Sequence, residues 1–210
     1  MYERFVPPAG GTIAIRQAKE VYPLSDPSIY RLNSKEVARA TEEWLAKRGV
    51  TKGQIGQLVM LLQKDYFPEL TLDECIVNVE SVLSKREVQN AVLTGIQLDM
   101  LAEEGKLLPP LQNMIFNDEG LYGCDEVLAL SIVNVYGSIG FTNFGYIDKF
   151  KPGVLKKLNE RNGKDVHTFL DDIVGAIAAA ASSRIAHRKQ AEREAMEEAL
   201  SGGDSGPDTP

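Results

Sequence analysis

Apolar residues recur at helical spacing along most of the chain after Ser34. In the segment from Lys85 to Glu104, Val88, Val92 and Ile96 repeat every fourth residue, so they lie on one face of a helix. Alternation of apolar and polar residues over a useful strand length is not found in the sequence. The pattern therefore predicts an all-α protein.

Polar residues at the ends of these apolar runs predict where the helices begin and end. Ser34 is a suitable N-cap for a helix that Gly49 ends. A Thr followed three residues later by Gln or Glu, the capping-box pattern, starts two more helices, at Thr51 and Thr71. The last helix is expected to begin near Asp165 and to run to about Leu200.

The same pattern divides the chain into four parts. The N-terminal segment is rich in Pro, Gly and Tyr, and the C-terminal segment is rich in Gly, Asp and Pro. The expected parts are an irregular N-terminal arm (1–33), a helical domain (34–187), a charged helix extension (188–200) and a disordered tail (201–210).

One segment, Val127 to Ile147, is 21 residues long and has no formal charge, which is long enough to span a bilayer. It also contains serines, asparagines, a threonine and three glycines. We therefore interpret it as a buried core helix, a glycine-containing turn and the start of another helix, in preference to a membrane span. Cys124 and most of the nearby aromatic residues are also expected in the core. These aromatic residues are Tyr122, Tyr136, Phe141, Phe144, Tyr146 and Phe150.

Composition narrows the class of function. The formal net charge of −7 argues against nucleic acid as the main partner, because phosphate backbones attract basic surfaces. Two cysteines and two histidines are too few for a disulfide framework or for most histidine-built metal sites. The N-terminus lacks the apolar run of a signal peptide, so the expected location is the cytoplasm.

Three groups of acidic residues lie beside apolar runs. A buried carboxylate without a partner is costly, so it normally becomes neutral, pairs with a cation or binds a metal. A cavity lined only by carboxylates suits Mg²⁺, which prefers oxygen ligands. The groups are Asp118-Glu119 with Asp125-Glu126, then Asp148, then Asp171-Asp172.

Each acid also has a structural alternative. Asp148 could pair with Lys149 or Lys151, and Asp171 or Asp172 could form a buried salt bridge with Arg184 or Lys156. Adjacent residues on a helix point about 100° apart, so Asp171 and Asp172 reach one cavity only if their helix is surrounded. Gly175, four residues after Asp171, would leave room for an ion.

Basic residues follow Asp148 closely in FKPGVLKKLNERNGK. Lys149 and Lys151 are the better candidates to hold a phosphate, with Pro152 as a suitable first residue of the next helix. A solvated basic face is the alternative for the later lysines. His167 is expected to be a satisfied or surface residue.

The ordered set of these motifs resembles the phosphatidylglycerophosphatase A family, and in particular a soluble bacterial branch that lacks transmembrane spans. The resemblance extends over about residues 35 to 187 and is carried by 115 to 185. It implies a compact helical bundle with a central helix surrounded by about five others. The matching residues are Asp118, Gly120, Asp125-Glu126, Asp148, Lys149, Lys151-Pro152, Gly163 and Asp171-Asp172.

The resemblance also implies a chemistry: Mg²⁺-dependent removal of the terminal phosphate of phosphatidylglycerophosphate. It implies Asp171, Asp172 and Asp125 as catalytic residues and Lys149 and Lys151 as phosphate-binding residues. The expected partner is a phosphorylated substrate, a phospholipid head group, which the protein would reach by peripheral contact with a membrane. Nucleic acid is not an expected partner. A homo-oligomer is compatible with the sequence. The implied metal ligands are Asp118, Asp125, Glu126, Asp148, Asp171 and Asp172.

Two other functions are compatible with the same residues. The first keeps the phosphatase chemistry but acts on a soluble phosphate ester or a nucleotide. The second is a non-catalytic helical protein that binds partners and keeps the acids for structural reasons. Membrane members of the family carry several apolar spans, and this chain has no clear counterpart of them. This difference argues against the lipid substrate more than against the metal chemistry.

Overall fold

Helices make up most of the chain from Ser34 onward. The computed structural model describes residues 33–160 and 163–201, and these residues contain no strand, which confirms the all-α class. The predicted N-terminal arm and C-terminal tail lie outside the described residues, apart from Asn33 and Ser201. The helices are α1 (Ser34–Lys47), α2 (Lys52–Gln63), α3 (Leu72–Leu83), α4 (Arg86–Glu103), α5 (Leu111–Asn117), α6 (Cys124–Val133), α7 (Gly137–Phe150), α8 (Val154–Asn159) and α9 (Leu170–Ser201), with a 3-10 helix at Asn134–Tyr136.

The two predicted capping boxes are present. The Thr51 hydroxyl accepts a hydrogen bond from the Gln54 N–H at 3.2 Å, and the Gln54 side chain accepts one from the Thr51 N–H at 2.8 Å. Thr71 and Glu74 make the same reciprocal pair before α3. These bonds satisfy backbone donors that a helix start leaves free, so α2 and α3 begin where the sequence predicts.

Helix α9 is the centre of the bundle. Every residue from Leu170 to Ser183 is buried, whereas most residues after His187 are exposed. The run of small side chains from Ala178 to Ala181 is fully buried, which allows neighbouring helices to approach closely. The helices that pack against α9 are α2, α3, α4, α6, α7 and α8.

Two predicted helix starts are wrong. Helix α9 begins at Leu170 and not near Asp165, because residues before it hydrogen-bond to α4: the Val166 N–H donates to Glu103 Oε1 at 2.8 Å. Pro152 is not the first residue of a helix either. Helix α8 begins at Val154, after Gly153 with φ 59°.

Among the described residues, one stretch, Cys124–Phe150, has the length and composition to cross a membrane. The predicted break inside it is present: α6 ends at Val133, the 3-10 helix follows, and Gly137 has φ 72°. We predicted that this segment is buried, and this is wrong for most of it, because only 28% of its most apolar 18-residue stretch is buried. The exposed side chains include Cys124, Val127, Val135, Phe141, Tyr146 and Phe150, whereas Phe144 is buried.

Close packing of α4 on α9 depends on Gly95. A Cβ at this position would lie 2.9 Å from the Phe169 Cβ, and the side chain of Ile173 lies closer still. We expect Gly95→Ala to lower the free energy of unfolding by about 1–3 kcal/mol, as overpacking of a core does. Urea denaturation followed by circular dichroism measures it.

The matched control is Gly53→Ala on α2, where the nearest atom to a new Cβ is the Thr51 Oγ1 at 3.8 Å. There the better helix propensity of alanine should raise the free energy of unfolding by up to about 1 kcal/mol. Equal effects of the two variants would contradict the close approach of α4 to α9.

Candidate active site

Lys151 lies among three carboxylates where α7 meets α9. Its Nζ is 2.6 Å from Asp148 Oδ1, 2.8 Å from Asp171 Oδ2 and 3.0 Å from Asp172 Oδ1. The Lys151 side chain is 22% exposed, and those of Asp171 and Asp172 are 10% and 6% exposed. One half-buried ammonium therefore neutralises part of a cluster that carries three acids.

The backbone at the end of α7 aims this lysine at α9. Lys151 follows the last residue of the helix in the left-handed conformation, with φ 41°, and its N–H donates to the Ile147 carbonyl at 2.8 Å. Asp118 ends α5 in the same way, with φ 53°. Among the described residues, these two are the non-glycine residues with positive φ.

Asp171 and Asp172 both reach Lys151, although they are adjacent on a helix. Both lie in the first turn of α9. The Asp172 N–H donates to Asp171 Oδ1 at 2.9 Å, so the other oxygen of Asp171 faces the lysine. Because the ammonium lies between the two directions, the 100° between neighbouring side chains does not separate them.

Asp99, which the sequence analysis did not select as a site residue, holds the start of α9. It is fully buried on α4, and its carboxylate accepts hydrogen bonds from the N–H groups of Phe169 at 3.1 Å and Leu170 at 3.0 Å. Burial raises the pKa of Asp99 well above its ordinary value. The sequence does carry a signal: Asp99 continues the buried stripe of Val92 and Ile96.

A second carboxylate group lies at the start of α6. Asp125, Glu126 and Asp172 each offer an oxygen, and these oxygens all lie within 4.8 Å of one another. Asp125 is 6% exposed, and its Oδ1 is buried without a hydrogen-bond partner among the described residues. A buried acceptor in this state is satisfied when a cation or a donor binds it.

Burial and repulsion between the acids raise their pKa values. Burial first, and then the neighbouring Glu126, raise the pKa of Asp125 to about 7. Burial and the charge of Asp171 raise the pKa of Asp172 to about 8. Burial opposes the charge of Lys151, but Asp171 and Asp172 more than offset it and raise the pKa of the lysine. The ammonium therefore stays charged, and the acids in excess favour binding a proton or a metal cation.

Comparison with known proteins identifies the family. The family model described as phosphatidylglycerophosphatase A matches residues 41–187. The chain belongs to this family. The match includes both carboxylate groups and Lys151, and it ends where the exposed half of α9 begins.

Relatives of known sequence and structure agree with this membership. The chain is 67% identical to the uncharacterized protein YutG of Bacillus subtilis over 144 residues, which are 69% of this chain and 87% of YutG. It is similar to the crystal structure of the low temperature requirement C protein from Listeria monocytogenes, with a TM-score of 0.72, 67% identity, and coverage of 73% of this chain and 97% of that one. The crystal structure of protein YpjQ from Bacillus subtilis gives a TM-score of 0.73 at 55% identity, covering 76% and 98%.

The residues that the family resemblance implies as metal ligands occupy different places. Asp125, Glu126 and Asp172 form the group that could hold a metal ion. Asp148 pairs with Lys151, which is an alternative that the sequence left open for it. Asp171 and Asp172 also pair with Lys151, and not with the Arg184 or Lys156 that the sequence suggested. Asp118 is exposed, and its charge is one of the causes that raise the pKa of Asp171.

The other candidates lie outside the carboxylate groups. Lys149 is exposed, with its Nζ 5.9 Å from the centre of the Phe150 ring. His167 is a satisfied histidine, since its Nδ1 lies 3.0 Å from the Leu158 carbonyl oxygen. Gly175 does not make room for an ion: a Cβ there would meet apolar side chains, the nearest being Ile147 at 3.4 Å.

Removal of the Lys151 charge should destabilise the protein. Lys151→Met leaves Asp171 and Asp172 buried without a cation, so we expect the free energy of unfolding at pH 8 without metal to fall by about 3–5 kcal/mol. The comparison variant is Lys52→Met, whose ammonium pairs with the exposed Glu42 and Glu80 and should contribute less than about 1 kcal/mol. Equal losses would show that Lys151 is not the cation that holds the cluster.

Stability without metal should depend on pH in a defined direction. The pKa values of Asp125 and Asp172 are higher in the folded chain, so the folded state binds more protons than the unfolded state above pH 4. The free energy of unfolding should therefore fall as pH rises from about 4 through about 8. Thermal melts at several pH values measure it, and Asp172→Asn should flatten the dependence; a slope that Asp172→Asn leaves unchanged would contradict it.

Proposed function

We propose that this protein is a Mg²⁺-dependent phosphatase that removes the terminal phosphate of phosphatidylglycerophosphate. The observation that carries the proposal is the group of Asp125, Glu126 and Asp172, whose oxygens lie within 4.8 Å of one another. The Oδ1 of Asp125, which is buried and has no partner in the part of the chain that the structure describes, fits a metal ligand better than a structural acid. Family membership supplies the class of reaction.

The donor set favours Mg²⁺ among common metals. All three residues offer carboxylate oxygens, with no sulfur or nitrogen donor, which suits a hard cation and not zinc. Asp125, Glu126 and Asp172 would hold the ion. When bound, Mg²⁺ supplies Lewis acidity toward a phosphoryl oxygen and lowers the pKa of a water ligand.

The remaining charged residues have separate roles in the proposal. Asp171 acts as the general base that accepts a proton from the attacking water, because burial raises its pKa from the ordinary value. Lys151 holds the carboxylates in place and presents a positive charge to the phosphate. Lys149, exposed beside it, provides a further cation for the incoming substrate. The water oxygen bonds to phosphorus as the bond to the glycerol oxygen breaks, and that oxygen takes a proton from solvent.

Exposed apolar side chains near these residues support a lipid substrate. Leu121, between Asp118 and Asp125, is 92% exposed, and Phe150, next to Lys151, is 60% exposed. Each of these side chains is free to contact the acyl chains of a lipid, as exposed apolar surface at interaction sites does. A phospholipid presents its phosphate at the surface of a bilayer, so these side chains would contact the membrane from the cytoplasm while the phosphate enters the site.

The direct test is phosphate release from phosphatidylglycerophosphate in detergent micelles, with and without Mg²⁺. Asp171→Asn removes the base and Asp172→Asn removes a metal ligand, so each should lower kcat at least about 100-fold. Only Asp172→Asn should also abolish the rise in Tm that Mg²⁺ causes. The control Asp73→Asn changes an exposed acid in the first turn of α3 and should keep full activity.

Other outcomes redirect or reject the proposal. Release from glycerol 3-phosphate or a nucleotide, but not from the lipid, would move the substrate to the soluble class and retain the metal site. Absence of activity on all substrates together with absence of a Mg²⁺-dependent change in Tm would reject the enzyme and favour a non-catalytic binding protein.

A further inference from the structure

Helix α4 presents two carboxylates to the residues that precede the acids of α9. Asp99 and Glu103 are four residues apart, so they lie on one face of α4 about one turn apart. The Phe169 N–H donates to Asp99 Oδ1 at 3.1 Å, and the Val166 N–H donates to Glu103 Oε1 at 2.8 Å. The proposed reaction gives neither acid a role, although both bind the chain just before Asp171.

The backbone before Asp171 is bound by several other elements as well. Arg48, which follows α1, donates to the Val166 carbonyl oxygen at 2.6 Å. The Thr168 hydroxyl donates to a carbonyl oxygen of α5 at 2.7 Å. The Leu170 N–H, at the first residue of α9, donates to the carboxylate on α4 at 3.0 Å. The start of α9 is therefore fixed by long-range hydrogen bonds.

Asp99 takes the place of a local N-cap. The residue before α9 is Phe169, which is 2% exposed and has no side-chain acceptor for the N–H groups of the first turn. A polar residue at that position would cap the helix without burying a charge. The carboxylate of Asp99 is fully buried instead, and burial, together with the nearby charge of Asp171, raises its pKa. This arrangement costs stability that a local cap would retain.

The position of this backbone determines where the acids of α9 point. Asp171 follows Leu170 directly, and its Oδ1 accepts from the Asp172 N–H at 2.9 Å while its Oδ2 binds the Lys151 ammonium at 2.8 Å. Both acids lie in the first turn, so any movement of the helix start moves both carboxylates. Displacement of a catalytic group by about 1 Å can cost roughly 100-fold in rate.

We propose that Asp99 is a positioning residue for the active site, supported by Glu103. It fixes the start of α9 so that Asp171 and Asp172 meet Lys151, and so that Asp172 also meets the metal site. It acts through the backbone N–H groups that it binds. The effect on Mg²⁺ rests on the proposed function, whereas the placement of the acids against Lys151 does not.

The first measurement needs neither Mg²⁺ nor phosphatase activity. In the ¹⁵N-labelled full-length protein, the Lys151 ammonium should give a slowly exchanging ¹H–¹⁵N signal, because three carboxylates bind it. Lys151→Arg assigns this signal by removing it. Asp99→Ala removes both acceptor oxygens and should shift or broaden the signal, whereas Asp99→Asn keeps one acceptor oxygen and should change it less.

The second measurement is a titration with MgCl₂, followed by the amide resonances of Glu126 and Asp172. Asp99→Ala should raise the Kd for Mg²⁺ at least about tenfold, as the loss of a residue that orients metal ligands does. The matched control is Ile96→Val, which shortens a fully buried side chain three residues earlier on α4. It should lower the melting temperature but leave the Lys151 signal and the Kd unchanged.

A second pair of variants serves if the Asp99 variants fail to fold. Glu103→Leu removes the acceptor for the Val166 N–H from a partly exposed position and should move the Lys151 signal. Glu104→Leu, at the exposed neighbouring residue, should not move it.

The proposal is overturned if the Lys151 signal stays in place in Asp99→Ala, or in Glu103→Leu where that variant is the one that folds. It is also overturned if Ile96→Val moves the signal equally, or if Mg²⁺ binds the Asp99→Ala variant with the original Kd. Absence of Mg²⁺ binding by the unaltered protein would reject the proposed metal site, and the Lys151 signal would still decide the role of Asp99.

Discussion

The Lys151 ammonium, bound to Asp148, Asp171 and Asp172, is the interaction on which the site depends. It joins the end of α7 to the start of α9, and α9 is the helix around which the others pack. Two carboxylates in the first turn of a buried helix would otherwise repel each other and oppose the packing that surrounds them. The same cluster of charges therefore stabilises the packing of α9 and forms part of the candidate active site.

Much of the fold follows from local signals in the sequence. The capping boxes at Thr51 and Thr71 and the stop at Gly49 are short-range chemistry, and the structure confirms them. The start of α9 could not be predicted in this way, because Asp99, seventy residues away in the chain, caps it. The exposure of the α6–α7 segment was missed for a related reason: composition shows that a helix is apolar but does not show whether another helix covers it.

At the candidate site too, the sequence indicates which residue types are present but not how they are arranged. Composition and motif order selected the acids, and the family model covers the segment in which they lie. The partner of each acid could not be predicted. Whether Asp148 binds a metal or pairs with Lys151 depends on the turn at Lys151, whose backbone is left-handed. Asp125 is distinguished from the other described acids by a buried oxygen that has no partner within the described part of the chain, and that property exists only in the folded chain.

The left-handed residues Asp118 and Lys151 have an evolutionary consequence. Glycine adopts this conformation without strain, and a side chain there costs about 1 kcal/mol or more. Selection for stability alone would place glycine at the ends of α5 and α7, as the chain does after α1 at Gly49. A charged side chain at either helix end costs stability that glycine would retain, so we expect sequences that have lost the chemistry to carry glycine or asparagine at these two positions.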